Sequence, residues 1–109
     1  MPVRPSSAPV VCRYDRAMTV IETFSFRLPT NADEAGFLAA DARIQTEVAY
    51  QQPGLVRRTT ARGHDGEWLV LTLWESPDAA EVGARVISHH LASLIDASSA
   101  RSARYNPLD

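Results

Sequence analysis

A chain of 109 residues can bury one modest core and is too short for two domains. Its hydrophobic share of 45%, charged share of 22% and formal net charge of −2 are those of an ordinary globular protein, and they give no electrostatic reason to expect nucleic acid or an anionic membrane as a partner. One cysteine, Cys12, excludes an internal disulfide, and the longest apolar runs fall far short of the roughly 20 residues of a membrane span, so the expected location is the cytoplasm.

Residues 1–17 hold Pro2, Pro5 and Pro9 with Ser6 and Ser7 between them. The apolar patch at 8–12 is too short for the core of a signal peptide, and no small-residue cleavage pattern follows it. The expectation is a flexible N-terminal arm over 1–17 and a folded domain over 18–109. Met18 stands directly before the first strand, where translation could itself begin.

Residues 19–28 alternate. Val20, Glu22, Phe24, Phe26 and Leu28 share one face, and Ile21, Thr23, Ser25 and Arg27 share the other. The pattern predicts a half-buried strand with one anomaly, the carboxylate of Glu22 on the apolar face. Pro29 ends it. Asn31 followed by Glu34 has the form of a capping box, and Phe37, Ala40, Ile44 and Val48 then recur at helical spacing to about Tyr50. Asp41, Arg43, Gln45 and Glu47 are expected on the solvated side of that helix. Residues 51–54, Gln-Gln-Pro-Gly, turn the chain.

Residues 55–62 predict an edge strand, its Arg57, Arg58 and Arg62 solvated and discouraging stray pairing. Gly63-His64-Asp65-Gly66 forms a turn, so the next strand pairs with it as a hairpin. That next strand organises the chain. Residues 68–74 are apolar apart from Thr72, as in a central strand covered on both faces. Ser76 then offers an N-cap hydroxyl, Pro77 suits the first helical position, and Asp78 complements the helix dipole. A second helix is predicted from Pro77 to about Ala97, with Val82, Val86, Ile87, Leu91, Leu94 and Ile95 on its buried side, and a short edge strand over 101–105.

The order β-α-β-β-α-β is that of the ferredoxin-like α+β fold, a four-stranded antiparallel sheet with two helices on one face. The other face would be bare. If Leu69, Leu71 and Leu73 point at the helices, the bare face holds Trp68, Val70 and Trp74, an association surface that a second copy of the chain would cover.

Residues 19–105 resemble the antibiotic biosynthesis monooxygenase (ABM) domain family of the dimeric α+β-barrel superfamily. The resemblance lies in Gln52-Pro53-Gly54-Leu55, in Trp74-Glu75-Ser76-Pro77-Asp78-Ala79 and in the helix ending His89-His90-Leu91. It implies a homodimer joined through the sheet face. It also implies a monooxygenase using O₂ on a small phenolic or polycyclic aromatic compound, with no metal, flavin or other cofactor. A non-catalytic small-molecule-binding or dimerisation module of the same fold is the alternative. Haem-degrading relatives carry a histidine about ten residues after the strand tryptophan and an asparagine on the first strand. Here Gly83 and Ala84 occupy the first place, and Glu22 or Thr23 the second, so haem degradation is not expected.

Under the oxygenase reading Glu22 or His90 is the catalytic base, and Phe24, Tyr50, Trp74 and Trp68 are candidate substrate-binding walls. Each has a plainer role available. His90 lies near the predicted apolar centre of the second helix, as a pocket residue or as a core-edge histidine satisfied by a carbonyl. Glu22 is a base in a cleft or the partner of an arginine such as Arg104. The tryptophans also serve as core or interface packing. No phosphate loop, HExxH pair or CxxC spacing occurs, so no metal or nucleotide cofactor is expected.

Overall fold

The computed structural model describes residues 18–108; the arm over 1–17, with Cys12, lies outside the described residues. The elements are β1 (Val20–Arg27), α1 (Glu34–Glu47), a single 3₁₀ turn (Ala49–Gln51), β2 (Leu55–Arg62), β3 (Glu67–Trp74), α2 (Pro77–Leu91) and β4 (Asp96–Tyr105). The strands form one antiparallel sheet in the order β2-β3-β1-β4, so β3 and β1 are central and β2 and β4 are edges. Among the described residues no helix is long and apolar enough to cross a membrane.

Register decides which face each side chain takes. β1 pairs with β3 as Phe26↔Trp68, Phe24↔Val70, Glu22↔Thr72 and Val20↔Trp74. Directly opposed residues project to the same side of a sheet. Phe26 packs edge-on against Phe37 of α1 at 5.8 Å between ring centroids, and Phe37 meets Trp68 at 5.0 Å. The even-numbered residues of both central strands therefore lie under the helices. Trp68, Val70 and Trp74 are buried there rather than on the bare face, which reverses the predicted side for β3. The phenylalanines of β1 had to go inside, and their cross-strand partners went with them. The open face instead carries Leu69, Leu71 and Leu73 beside Ile21 and Tyr105, and Leu71 keeps 37% of its surface exposed.

Local signals set most element ends. Ser76 caps α2, its hydroxyl accepting from Ala79 N at 3.1 Å, with Pro77 in the first turn. α1 is capped by Asp33 and not Asn31, and its cap is made by the backbone, Phe37 N donating to Asp33 O at 2.9 Å. Ala32 N donates to Pro29 O, a turn that holds Asn31 outside the helix. α2 stops at Leu91, well before Ala97. Leu94 N turns back to Leu91 O at 2.8 Å, and Asp96 accepts from both the amide and the hydroxyl of Ser98, local bonds that compete with helix continuation. β4 consequently starts at Asp96 and is twice the length expected.

The largest departure lies between α1 and β2. Asp41 and Arg58, both expected in solvent, are buried against each other: Arg58 Nη2 donates to Asp41 Oδ1 at 2.7 Å, and the Arg58 side chain is wholly inaccessible. Thr60 Oγ1 donates to Asp41 Oδ2, and Gln45 Oε1 accepts from Arg58 Nη1. Arg58 points inward because it stands opposite Thr72 on the helix side of the sheet, while Arg57 faces out opposite Leu73. One buried charge demands the other, since desolvating either alone is costly. Arg58 Nε is left without a hydrogen-bond partner among the described residues. Asp41→Ala should therefore destabilise the domain by about 3–5 kcal/mol in denaturant unfolding, with Asp41→Ala/Arg58→Met recovering a large part of the loss. Additive losses in that pair would mean the two charges do not depend on each other.

Candidate functional site

A cleft of about 280 Å³ lies between α2 and the helix side of β1, β3 and β4. Its apolar lining is Phe24 and Val70 from the sheet and Ile87 and Leu91 from the helix. Thr72 and Glu22 supply polar groups from the sheet, and Glu81, Arg85 and Arg104 line it from α2 and β4. α2 can lie close over the sheet because residue 83 is glycine: a Cβ there would overlap the six-membered ring of Trp74.

Glu22 is the carboxylate that the strand pattern marked as anomalous, and the structure shows how it is accommodated. Trp74 Nε1 donates to Glu22 Oε1 at 3.3 Å, and Arg104 Nε approaches Oε2 at 3.5 Å. Both contacts are longer than the roughly 2.7–2.9 Å of a strong charge-assisted bond, so the carboxylate is steered more than clamped. Its side chain is 12% exposed. Arg104 reaches it because Glu22 and Arg104 are directly paired across β1 and β4.

From Arg104 the charges continue onto the helix. Arg104 Nη1 donates to Glu81 Oε1 at 3.1 Å, and Arg85 Nη2 donates to Glu81 Oε2 at 2.7 Å. The Arg104 hydrogen bond, followed by that of Arg85, holds the Glu81 carboxyl below its ordinary value of 4.5. The chain Glu22–Arg104–Glu81–Arg85 thus bridges sheet and helix beside the cleft.

The residues singled out from sequence divide clearly. Glu22 and Phe24 line the cleft, and Trp74 joins it through its bond to Glu22. His90 does not. It is exposed on another flank of α2, bordering a groove with Arg43 and Glu47 of α1. Val82 and Val86, expected on the buried side, are 60% and 36% exposed, so the buried arc runs through Ala80, Gly83, Ile87 and Leu91 and turns away from His90. Tyr50 is exposed on the 3₁₀ turn, its hydroxyl accepting from Arg58 N at 3.0 Å. Trp68 lies beneath α1, with the Arg62 guanidinium 5.2 Å from its ring centroid. Glu81 and Arg85 were missed as site residues. Their spacing of four within a helix is a legible ion-pair signal, but only the register of β4 shows that Arg104 meets it.

A lowered carboxyl pKa contributes stability that is complete above the unfolded value of 4.5 and is lost as pH falls through the folded value. The melting temperature of Glu81→Gln should lie below that of the wild type at pH 7, with the gap closing as pH is taken well under 4.5. A gap that persists in acid would show that the bridge does not depend on the Glu81 charge.

No protein-family model matches the sequence, and comparison with curated proteins finds no match. Solved structures do match. SnoaB, a cofactor-independent oxygenase from Streptomyces nogalater, superposes with a TM-score of 0.68 at 19% identity, over 84% of this chain and 95% of that one. Rv0793 from Mycobacterium tuberculosis gives a TM-score of 0.64 at 20% identity, over 84% and 96% of the two chains. A proposed antibiotic biosynthesis monooxygenase from Nitrosomonas europaea gives 0.65 at 16% identity, over 84% and 91%. At such identities the likeness is one of fold, and by fold this chain is ABM-like, with the α+β architecture of SnoaB and of structures proposed to be antibiotic biosynthesis monooxygenases.

Proposed function

We propose that the chain is a cofactor-independent monooxygenase that holds a small phenolic or polycyclic aromatic compound in the cleft between α2 and the sheet. The observation that carries this is Glu22, a lightly tethered carboxylate in a mixed cleft that also presents Phe24, Val70, Ile87 and Leu91. A volume of about 280 Å³ lies just under the roughly 300–1,000 Å³ of ligand pockets, which favours a small ligand of a few fused rings. The fold likeness to SnoaB supports the reaction class.

In such chemistry the substrate anion is itself the reductant of O₂. The protein has three tasks: removing a proton, excluding water around the anion and fixing the ring's orientation. Glu22 takes the proton. Arg104, already within reach of Glu22, puts a positive charge beside the anionic occupant. The Trp74 indole keeps the carboxylate turned toward the cleft. His90, outside the cleft, has no part.

One observation favours the second reading, a non-catalytic binding module. Each Glu22 oxygen already has a donor, Trp74 for one and Arg104 for the other, as a purely structural carboxylate would. Oxygen uptake separates the two. With anthrone-like and naphthol-like phenols the wild type should exceed the uncatalysed rate, Glu22→Gln should lose at least about tenfold of that excess, and His90→Phe should retain it. Uptake at background across the panel for wild type selects the binding module.

We also propose that the open sheet face is the homodimer surface. Leu69, Leu71 and Leu73 with Ile21 and Tyr105 form an apolar stretch across three strands, the kind of patch that marks association. Light scattering should give twice the chain mass at micromolar concentration and the single mass for Leu71→Glu. A wild-type monomer would overturn this.

A further inference from the structure

We propose that the ligand of the cleft is an aromatic carboxylate, and that Arg104 recognises its acid group by exchanging Glu81 for it. This rests on the small-molecule reading of the cleft and adds the charge of the occupant.

Arg104 stands on the edge strand β4 with its guanidinium between two carboxylates from different elements. Nε is 3.5 Å from Glu22 Oε2 on β1, and Nη1 is 3.1 Å from Glu81 Oε1 on α2. The two carboxylates are not equivalent. Glu22 is bound to the sheet by Trp74 and is nearly covered, whereas the Glu81 side chain is 60% exposed and, among the described residues, is held by Arg104 and Arg85. A carboxylate of the chain itself therefore occupies, beside the cleft, the place on two arginines that the acid group of a ligand would take.

Exchange is favoured on three counts. Exposed ion pairs contribute little to stability, and the side chains of Arg104 and Arg85 are 41% and 73% exposed, so releasing Glu81 into water costs little. Arginine binds a carboxylate best through two parallel N–H groups, and Glu81 takes only Nη1 of Arg104, leaving a better geometry open to a ligand. The swap also leaves the charge around the arginines unchanged, which a neutral or cationic ligand could not do. The ring of the ligand would rest on Phe24, Val70, Ile87 and Leu91, next to Glu22.

The test is calorimetric titration of the full chain with 2-naphthoate and with its neutral isostere 2-naphthamide. The wild type should bind 2-naphthoate about tenfold more tightly. Arg104→Gln should abolish that preference, and Arg104→Lys should restore part of it. Glu81→Gln removes the competing charge at an exposed position, so it should tighten 2-naphthoate several-fold and widen its preference over 2-naphthamide. A structural role for Glu81 alone would not produce that gain. Equal affinity of the wild type for the two compounds, a preference that survives Arg104→Gln, or an unchanged 2-naphthoate affinity in Glu81→Gln would each overturn the assignment. Equal affinity would leave the small-molecule cleft standing without its acid recognition. Binding of neither compound, nor of 2-naphthol, would remove both.

Discussion

The indole of Trp74 holds the site together. It is completely buried, its six-membered ring fills the space left by the missing side chain of Gly83, and its N–H reaches Glu22. Three elements meet in that one residue: β3 carries it, α2 rests on it, and β1 presents the carboxylate it binds. A large aromatic with a polar tip serves here because its body can be dry only if its N–H finds an acceptor. The acceptor is a charge that would otherwise be out of place on the inner face of a strand.

That coupling explains why the central strand was harder to orient than to find. The run 68–74 is apolar at nearly every position, so a strand was evident, but alternation carries no information when both sets of side chains are apolar. Only the partner strand breaks the tie. β1 alternates cleanly, and Phe24 and Phe26 fix its inward face; pairing then places Val70 and Trp68 inside and the leucines outside. The element order, the Ser76-Pro77 start of α2 and the inward position of Glu22 were all legible locally.

Long-range charge was not. Asp41 sits between apolar residues of a helix and Arg58 between polar residues of a strand, and each alone reads as solvated. Their burial depends on β2 placing Arg58 opposite Thr72, under the helices. The Glu22–Arg104–Glu81–Arg85 chain was half legible in the same way. Its helical pair follows from spacing and Arg104 was a foreseeable partner for Glu22, but the joining of the two depends on the register of a strand whose start lay five residues earlier than its composition suggested. His90 misled for a related reason. Val82 and Val86 recur at helical spacing yet stay in solvent, so the apolar stripe of α2 is wider than the face it buries.

Gly83 has one further consequence. The height of α2 above the sheet is set at that contact, and the same height is one dimension of the cleft farther along the helix. A side chain at position 83, even a methyl group, would meet the six-membered ring of Trp74 in the middle of α2 and force helix and strand apart. The spacing between α2 and the sheet, and with it one dimension of the cleft, is thus set by a residue outside the cleft's own lining.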